Sequence, residues 1–272
     1  MFSKICSMLL ATDGSEACFG AERIALKIAE RCGAKLFVLN VVYYNPEHMS
    51  IAIEEVETQK SRAREVVERV KREAIERDID VETKIILSDS IEEGIAKTAE
   101  EVQANLIVMG RRGIRGLAKL LIGSATIGVV PIAPCPVLIV PRNADLRGKG
   151  FLGATDGSEV SLKAVDFMCE LAQRMDLPLY VLAVAKDLTL KEKAEEALEK
   201  AREILKRYNL NGEFLLYVGE PSRLILEVAK QRDIDLIVMG NRGLKGISKM
   251  IFGSVSEKVL NNTDRGVLIV KN

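Results

Sequence analysis

A single histidine, His48, is all the imidazole that this 272-residue chain contains. A serine or cysteine nucleophile paired with a histidine base is therefore not expected, and no strong catalytic apparatus is visible. Cysteine is scarce in a similarly telling way: Cys6, Cys18, Cys32, Cys135 and Cys169 are odd in number, and no two stand in a CxxC pair. Neither a disulfide framework nor a zinc site is expected, which points to a reducing cytoplasm. Net charge is missing too, since Lys plus Arg equals Asp plus Glu at 39 each. No overall field draws the protein to nucleic acid or to an anionic membrane. No apolar run reaches the ~18 residues of a membrane span, and "ICSMLLA" near the start is too short for a secretory core. Two phosphate signatures are absent as well. Without GxxxxGK[ST], or a GxGxxG opening a helix, the chain is neither a Walker-type NTPase nor a standard dinucleotide fold.

What is present is a globular composition, 48% hydrophobic and 29% charged, long enough for one large or two ordinary cores. The chain repeats itself. "LLATDGSEA" from Leu9 returns as "FLGATDGSEV" from Phe151, "LFVLNVV" from Leu36 as "LYVLAVA" from Leu179, and "LIVMG" from Leu106 again from Leu236. Polar, glycine-bearing "RNADLRGKG" separates the copies, giving domains at 1–141 and 151–272 and a linker at 142–150. Within each copy, apolar runs of strand length alternate with segments of helical period. Ala21, Ile24, Ala25 and Ile28 fall at i, i+3, i+4 and i+7, as do Ala164, Phe167, Met168 and Leu171, with Ser15 and Ser158 as the expected N-caps. A second helix turns Ala63, Val66, Val67 and Val70 inward in the first copy, and Ala194, Ala197, Leu198 and Ala201 in the second. This alternation predicts an α/β protein: two tandem doubly wound parallel sheets flanked by helices, each Rossmann-like. The apolar fifth strands "PVLIV" and "GVLIV" would pair with each other, making an internal pseudo-dimer able to associate further as a homo-oligomer.

Ligands of such sheets sit at the carboxyl ends of the strands, where the strand order reverses. The residues expected there are Ala11, Thr12 and Asp13 with Ala154, Thr155 and Asp156 at the first strand, Val41 and Val184 at the second, and Met109-Gly110 and Met239-Gly240 at the fourth. After the fourth strand both copies read Gly-x2-Gly-x9-Gly-Ser, as Gly110, Gly113, Gly123-Ser124 and as Gly240, Gly243, Gly253-Ser254. Glycine lets a ligand approach the backbone, and a helix opening at the serine offers free N–H groups and a positive dipole end. That is a phosphate cradle. Ala125 and Thr126, matched by Val255 and Ser256, complete each opening turn, and the hydroxyls of Ser124, Thr126, Ser254 and Ser256 are expected as further donors. Arg111, Arg112, Arg115 and Lys119, with Arg242, Lys245 and Lys249, keep the loops basic. Plainer readings stand beside these: an ordinary βα turn with a serine cap, solvated basic side chains, and aspartates that cap their own turns.

ATDGS after the first strand, with Gly-x2-Gly-x9-Gly-Ser after the fourth, resembles the universal stress protein family in its tandem, ATP-binding form. The resemblance implies sheets in the order 3-2-1-4-5 and an adenine nucleotide, ATP, ADP or AMP, with magnesium as candidate companion ion. It implies that Asp13 and Asp156 lie beside the nucleotide, that the main chain of Val41 and Val184 reads the adenine, and that the glycine loops hold the phosphates. The implied function is a stress-response regulator whose bound nucleotide stabilises or switches its conformation. A slow ATPase or phosphoryl or nucleotidyl transferase using the same loops, and a nucleotide-free scaffold, are the competing readings. Two departures concern the first copy. The family's Gly-x-Pro before the third helix stands as Gly219-Glu220-Pro221, but the first copy reads Ser88-Asp89-Ser90; and the GSVSE run of 253–257 is replaced by Gly123-Ser124-Ala125-Thr126-Ile127-Gly128. With Gly128 and then Pro131, the helix after Gly123-Ser124 is expected to be short or frayed, and its site the weaker one. The unduplicated stretch "YYNPEHMSIAIEE" from Tyr43 is a lid or a subunit contact.

Overall fold

The computed structural model describes residues 5–45, 53–112, 122–242 and 252–271, which fall into two compact units, Ile5–Asn143 and Ala144–Asn272. The first unit runs β1 (Ser7–Ala11), α1 (Phe19–Cys32), β2 (Lys35–Tyr43), α2 (Ile53–Ile75), β3 (Val81–Ser88), α3 (Ile91–Glu101), β4 (Leu106–Gly110), α4 (Ser124–Ile132) and β5 (Val137–Val140). Its strands are parallel in the order β3-β2-β1-β4-β5. The second runs β6 (Phe151–Thr155), α5 (Glu159–Met175), β7 (Leu179–Ala185), α6 (Lys191–Arg207), β8 (Glu213–Val218), α7 (Pro221–Gln231), β9 (Leu236–Gly240), α8 (Ser254–Asn262) and β10 (Gly266–Val270). Its order is β8-β7-β6-β9-β10, so each unit is a 3-2-1-4-5 sheet.

Helices cover both faces of the central strands, which is why β4, β6 and β9 are buried throughout and read as unbroken apolar runs. β3 and β8, at the sheet margins, are only half-buried and carry Glu82, Lys84 and Glu213. The helical stripes pack as their spacing requires: Ala21, Ile24, Ala25, Ile28, Ala164, Phe167, Met168 and Leu171 are all buried. On α2, Ala63, Val67 and Val70 are buried, whereas Val66 is half-buried because it borders the cleft described below. The boundary between the units falls inside the polar 142–150 stretch. Residues after it are docked on the second unit, where the Lys149 N–H donates to Asp235 Oδ2 at 2.7 Å and Arg147 pairs with Asp233 at 2.8 Å.

Local features differ from expectation at two helices. Ser158 caps α5, accepting from the Ser161 N–H at 3.3 Å, but Ser15 caps nothing with its side chain. A 3-10 turn at Glu16–Cys18 intervenes, and Asp13 Oδ1 takes both the Ser15 N–H at 2.9 Å and the Cys18 thiol at 3.3 Å. The helix α4 is not shortened. It spans 9 residues, as does α8, despite Gly128 and Pro131. Pro131 stands in the last turn, where Val129 and Val130 are buried and α4 packs against α3, so tertiary packing outweighs local propensity.

Beneath the first strand end lies a buried ion pair. Thr12 Oγ1 donates to Glu22 Oε1 at 2.6 Å, and Arg69 Nη2 reaches both Glu22 oxygens at 3.0 and 2.9 Å, tying β1 and α1 to α2. In the second unit Thr155 shares a hydrogen bond with Ser161 instead, at 2.9 Å. Glu22 is 3% exposed, so removing its cation strands a buried charge. Arg69→Met is expected to lower the free energy of unfolding by about 2 kcal/mol in urea denaturation, less than for a fully buried pair because the arginine is itself partly solvated. A loss under about 0.5 kcal/mol would show that Glu22 needs no counter-ion.

Candidate nucleotide clefts at the strand-order reversals

β1 stops at Ala11, paired with Leu39, while β2 continues to Tyr43. A strand residue turns both its peptide groups to the same neighbour, and the next residue turns to the other side. Because the Lys35 N–H donates to Cys6 and Leu39 accepts from Thr12, the odd residues of β2 face β1. Val41 thus presents its main-chain N–H and C=O to the space beyond the end of β1. In the second unit the Phe151 N–H donates to Pro178, which makes the even residues of β7 face β6, and the Val184 carbonyl opens beyond Thr155 in the same way.

Each opening is the floor of a cavity, about 730 Å³ in the first unit and about 330 Å³ in the second. Ala11, Thr12, Asp13, Val41, Met109, Gly110, Arg112, Gly123, Ser124, Ala125 and Thr126 all line the first. Ala154, Thr155, Asp156, Val184, Met239, Gly240, Arg242, Gly253, Ser254, Val255 and Ser256 all line the second. Arg111 does not line the cavity; its N–H is bonded to Val140 at 2.8 Å at the strand end. Gly113, Gly243, Arg115, Lys119, Lys245, Lys249 and His48 lie outside the described residues, as does most of the stretch after Tyr43.

The opening turns of α4 and α8 supply the amides. Gly123 and Gly253 are the N-caps, and having no side chain they cap nothing. The amides of residues 124–126 and 254–256 therefore keep the orphan donors of a helix start, next to the cavity. Glycine has different causes at different positions. At Gly110 a Cβ would come within 2.9 Å of the Arg112 carbonyl, and at Gly240 within 2.9 Å of Val160, so the packing of the chain itself demands both. At Gly253, with φ −72°, a Cβ would meet nothing nearer than 3.4 Å. Among the described residues neither conformation nor packing requires glycine there, and its lack of a side chain leaves the helix opening uncovered beside the cavity.

The hydroxyls expected as phosphate donors are partly committed elsewhere. Thr126 Oγ1 donates to the Gly110 carbonyl at 3.1 Å and Ser256 Oγ to the Asn241 carbonyl at 2.8 Å, each buried and holding the helix start against its strand end. A hydroxyl has one proton to give, so these two residues contribute structure and main-chain amides, while Ser124 and Ser254 are exposed. Asp13 and Asp156 do cap their own turns, accepting from the Ser15 and Ser158 N–H groups at 2.9 and 3.1 Å. The segment before α3 is shifted by one residue from the sequence reading. Both caps fix the register, since Ser90 accepts from the Glu93 N–H and Glu220 from the Arg223 N–H. Asp89-Ser90-Ile91 therefore matches Gly219-Glu220-Pro221.

Comparison with known proteins converges on one family. The model of the universal stress protein family matches the chain twice, over residues 5–141 and 149–271. The chain belongs to the universal stress protein family. A universal stress protein of Methanocaldococcus jannaschii is 31% identical over 147 residues, covering 48% of this chain and 86% of the relative. One from Mycolicibacterium smegmatis is 26% identical over 235 residues, 79% of each chain. A crystal structure of a universal stress protein from Archaeoglobus fulgidus matches 97% of this chain and 98% of its own with a TM-score of 0.80 at 24% identity, a likeness of fold.

Several lining residues of this universal stress protein escaped the sequence reading: Cys18, Asn40, Gln59, Arg62 and Glu92 in the first cleft, and Ser161, Lys186 and Lys193 in the second. Gln59 and Arg62 precede Ala63 and Val66 at helical spacing, a signal that the apolar stripe of α2 could have extended to polar positions. Asn40 Nδ2 donates to the Thr12 carbonyl at 2.9 Å, fastening β2 to the turn. Cys18 is no nucleophile: burial first, and then the Asp13 charge, push its thiol up to about 12. It stays protonated through the physiological range and titrates only as pH nears that value. In native protein at pH 8 the exposed Cys6 should react with iodoacetamide at least ~100-fold faster than Cys18, as thiolate population and access dictate. Peptide mapping by mass spectrometry reads this out, and equal labelling of both cysteines would contradict the burial.

Proposed function

We propose that this universal stress protein binds adenine nucleotide in its paired clefts and acts as a regulatory stress-response protein whose conformation the nucleotide stabilises. The observation that carries the reading is the cradle at Gly253, where no contact among the described residues requires glycine and the N-terminal amides of α8 border a cavity. Three features fit the ligand. The outward peptide groups of Val41 and Val184 offer a donor or acceptor to a base edge, the apolar side chains of Ala11, Met109, Ala154 and Met239 offer a surface for the ring, and the helix openings offer amides to phosphate. Among the described residues the buried Arg242 Nε has no hydrogen-bond partner, a donor that an anionic ligand would satisfy. Among the described residues no three His, Cys, Asp or Glu side chains are grouped to hold a metal ion. Magnesium at these sites would accordingly be held largely by the phosphates of its nucleotide, with Asp13 or Asp156 as a lining carboxylate.

Ligand at ~100 times its dissociation constant is expected to raise stability by roughly 2.7 kcal/mol per site. Thermal melts with ATP, ADP and AMP test this, together with the nucleotide released when the purified protein is denatured. Gly253→Val adds a Cβ that meets only ordinary contacts, and valine at an N-cap costs about 1 kcal/mol against glycine, so it should melt slightly below the unliganded wild type and lose the ligand-induced shift at the second cleft. Absence of any shift with all three nucleotides, and of any released nucleotide, defeats the proposal.

A further inference from the structure

The two clefts share a plan but differ in charge around the same cradle. We infer that they are tuned to ligands of opposite charge demand: the second to an adenine nucleotide carrying a polyphosphate, the first to an adenine compound with little or no negative charge. This rests on the adenine reading above and assigns each cleft its ligand class.

In the second cleft Lys186, at the end of β7, and Lys193, in the first turn of α6, join Arg242 on the wall, against the single carboxylate of Asp156. Lys191 is occupied by Glu195 at 3.6 Å, whereas among the described residues Lys186 and Lys193 have no carboxylate partner. Among the described residues, two ammonium groups without a carboxylate partner and a buried guanidinium nitrogen without a hydrogen-bond partner thus line one cavity with the opening turn of α8. Such a site favours each added phosphate.

The first cleft is built in the opposite sense. Tyr43 takes the place of Lys186, and Asp89 and Glu92 enter the wall where the second unit has Gly219 and Ser222. Among the described residues Arg62 and Arg112 are present, but three carboxylates, Asp13, Asp89 and Glu92, outnumber them. Glu92 is held in position. Ser90 Oγ donates to its Oε2 at 3.2 Å, and its Cγ would lie 2.2 Å from a Cβ at residue 128, a position that is glycine. The corresponding position of α8 is Lys258, which reaches across to Glu220 at 3.3 Å. Glycine at 128 thus leaves room for the Glu92 side chain, whereas the second unit has lysine at that place and the uncharged Ser222 in place of Glu92. Glu92 and the opening amides of α4 line one cavity, and its charge offsets what those amides offer an anion.

Titration calorimetry of the full chain with adenosine, AMP and ATP, in EDTA to exclude metal, tests the assignment. The wild type should show a site that binds ATP at least tenfold more tightly than adenosine, and Gly253→Val should remove it. The site left in Gly253→Val should bind adenosine at least as tightly as ATP. Adding Glu92→Gln to that chain should raise ATP affinity about tenfold and leave adenosine unchanged, and Lys193→Gln alone should weaken ATP several-fold at the other site. If Gly253→Val misfolds by circular dichroism, Gly253→Ala serves in its place. A remaining site that prefers ATP tenfold, or an ATP-to-adenosine ratio unmoved by Glu92→Gln, overturns the inference while leaving the adenine reading intact. Failure of all three compounds to bind the wild type overturns that reading, and this inference with it.

Discussion

A parallel strand that stops before its neighbour leaves peptide groups with nothing to bond, and everything at the clefts depends on that mismatch. β1 ends at Ala11 while β2 runs on to Tyr43. In the middle of a covered sheet, unpaired peptide groups would be costly. At the point where strand order reverses, the crossovers leave in opposite directions, and the same groups open onto the cavities instead of being covered. Asn40 limits the opening by fastening to the Thr12 carbonyl, which fixes where the floor of the cleft begins.

The walls divide labour between backbone and side chain. Thr126 and Ser256 give their protons to the carbonyls that end β4 and β9 or start the loop after them, locking α4 and α8 to the strands. Asp13 and Asp156 lock the turns opposite. The side chains nearest the cradles are thus largely structural, and the amides they orient face the cavity. A scaffold held this way keeps its donors aligned before any ligand arrives, which is what makes a helix opening effective toward anions.

Features set by local pattern were legible in the sequence. The apolar runs marked the strands, the 3.6-residue stripes marked the helix faces, and four glycines of the repeated Gly-x2-Gly-x9-Gly-Ser, Gly110, Gly123, Gly240 and Gly253, line the two cavities. Features set by packing were not. The register before α3 slipped by one because two different residue types, Ser90 and Glu220, perform the same cap. α4 kept its full length because the burial of Val129 and Val130 outweighs a proline in the last turn. Lys193 and Glu92 could not be placed in the clefts until helix orientation was fixed, because a polar residue on a helix shoulder reads the same whether it faces solvent or a cavity, and Lys186, just past the end of β7, could not be placed until the course of the chain after that strand was known.

Gly128 also couples two neighbouring helices. With its Cβ position 2.2 Å from Glu92 Cγ, residue 128 can carry a side chain only if Glu92 leaves its present position. The same place in the second unit holds Lys258, which reaches Glu220 at the start of α7. Residues 92 and 128 are therefore interdependent: a side chain added at one displaces the other, so the charge that α3 brings to its cleft is set in part by a position on α4.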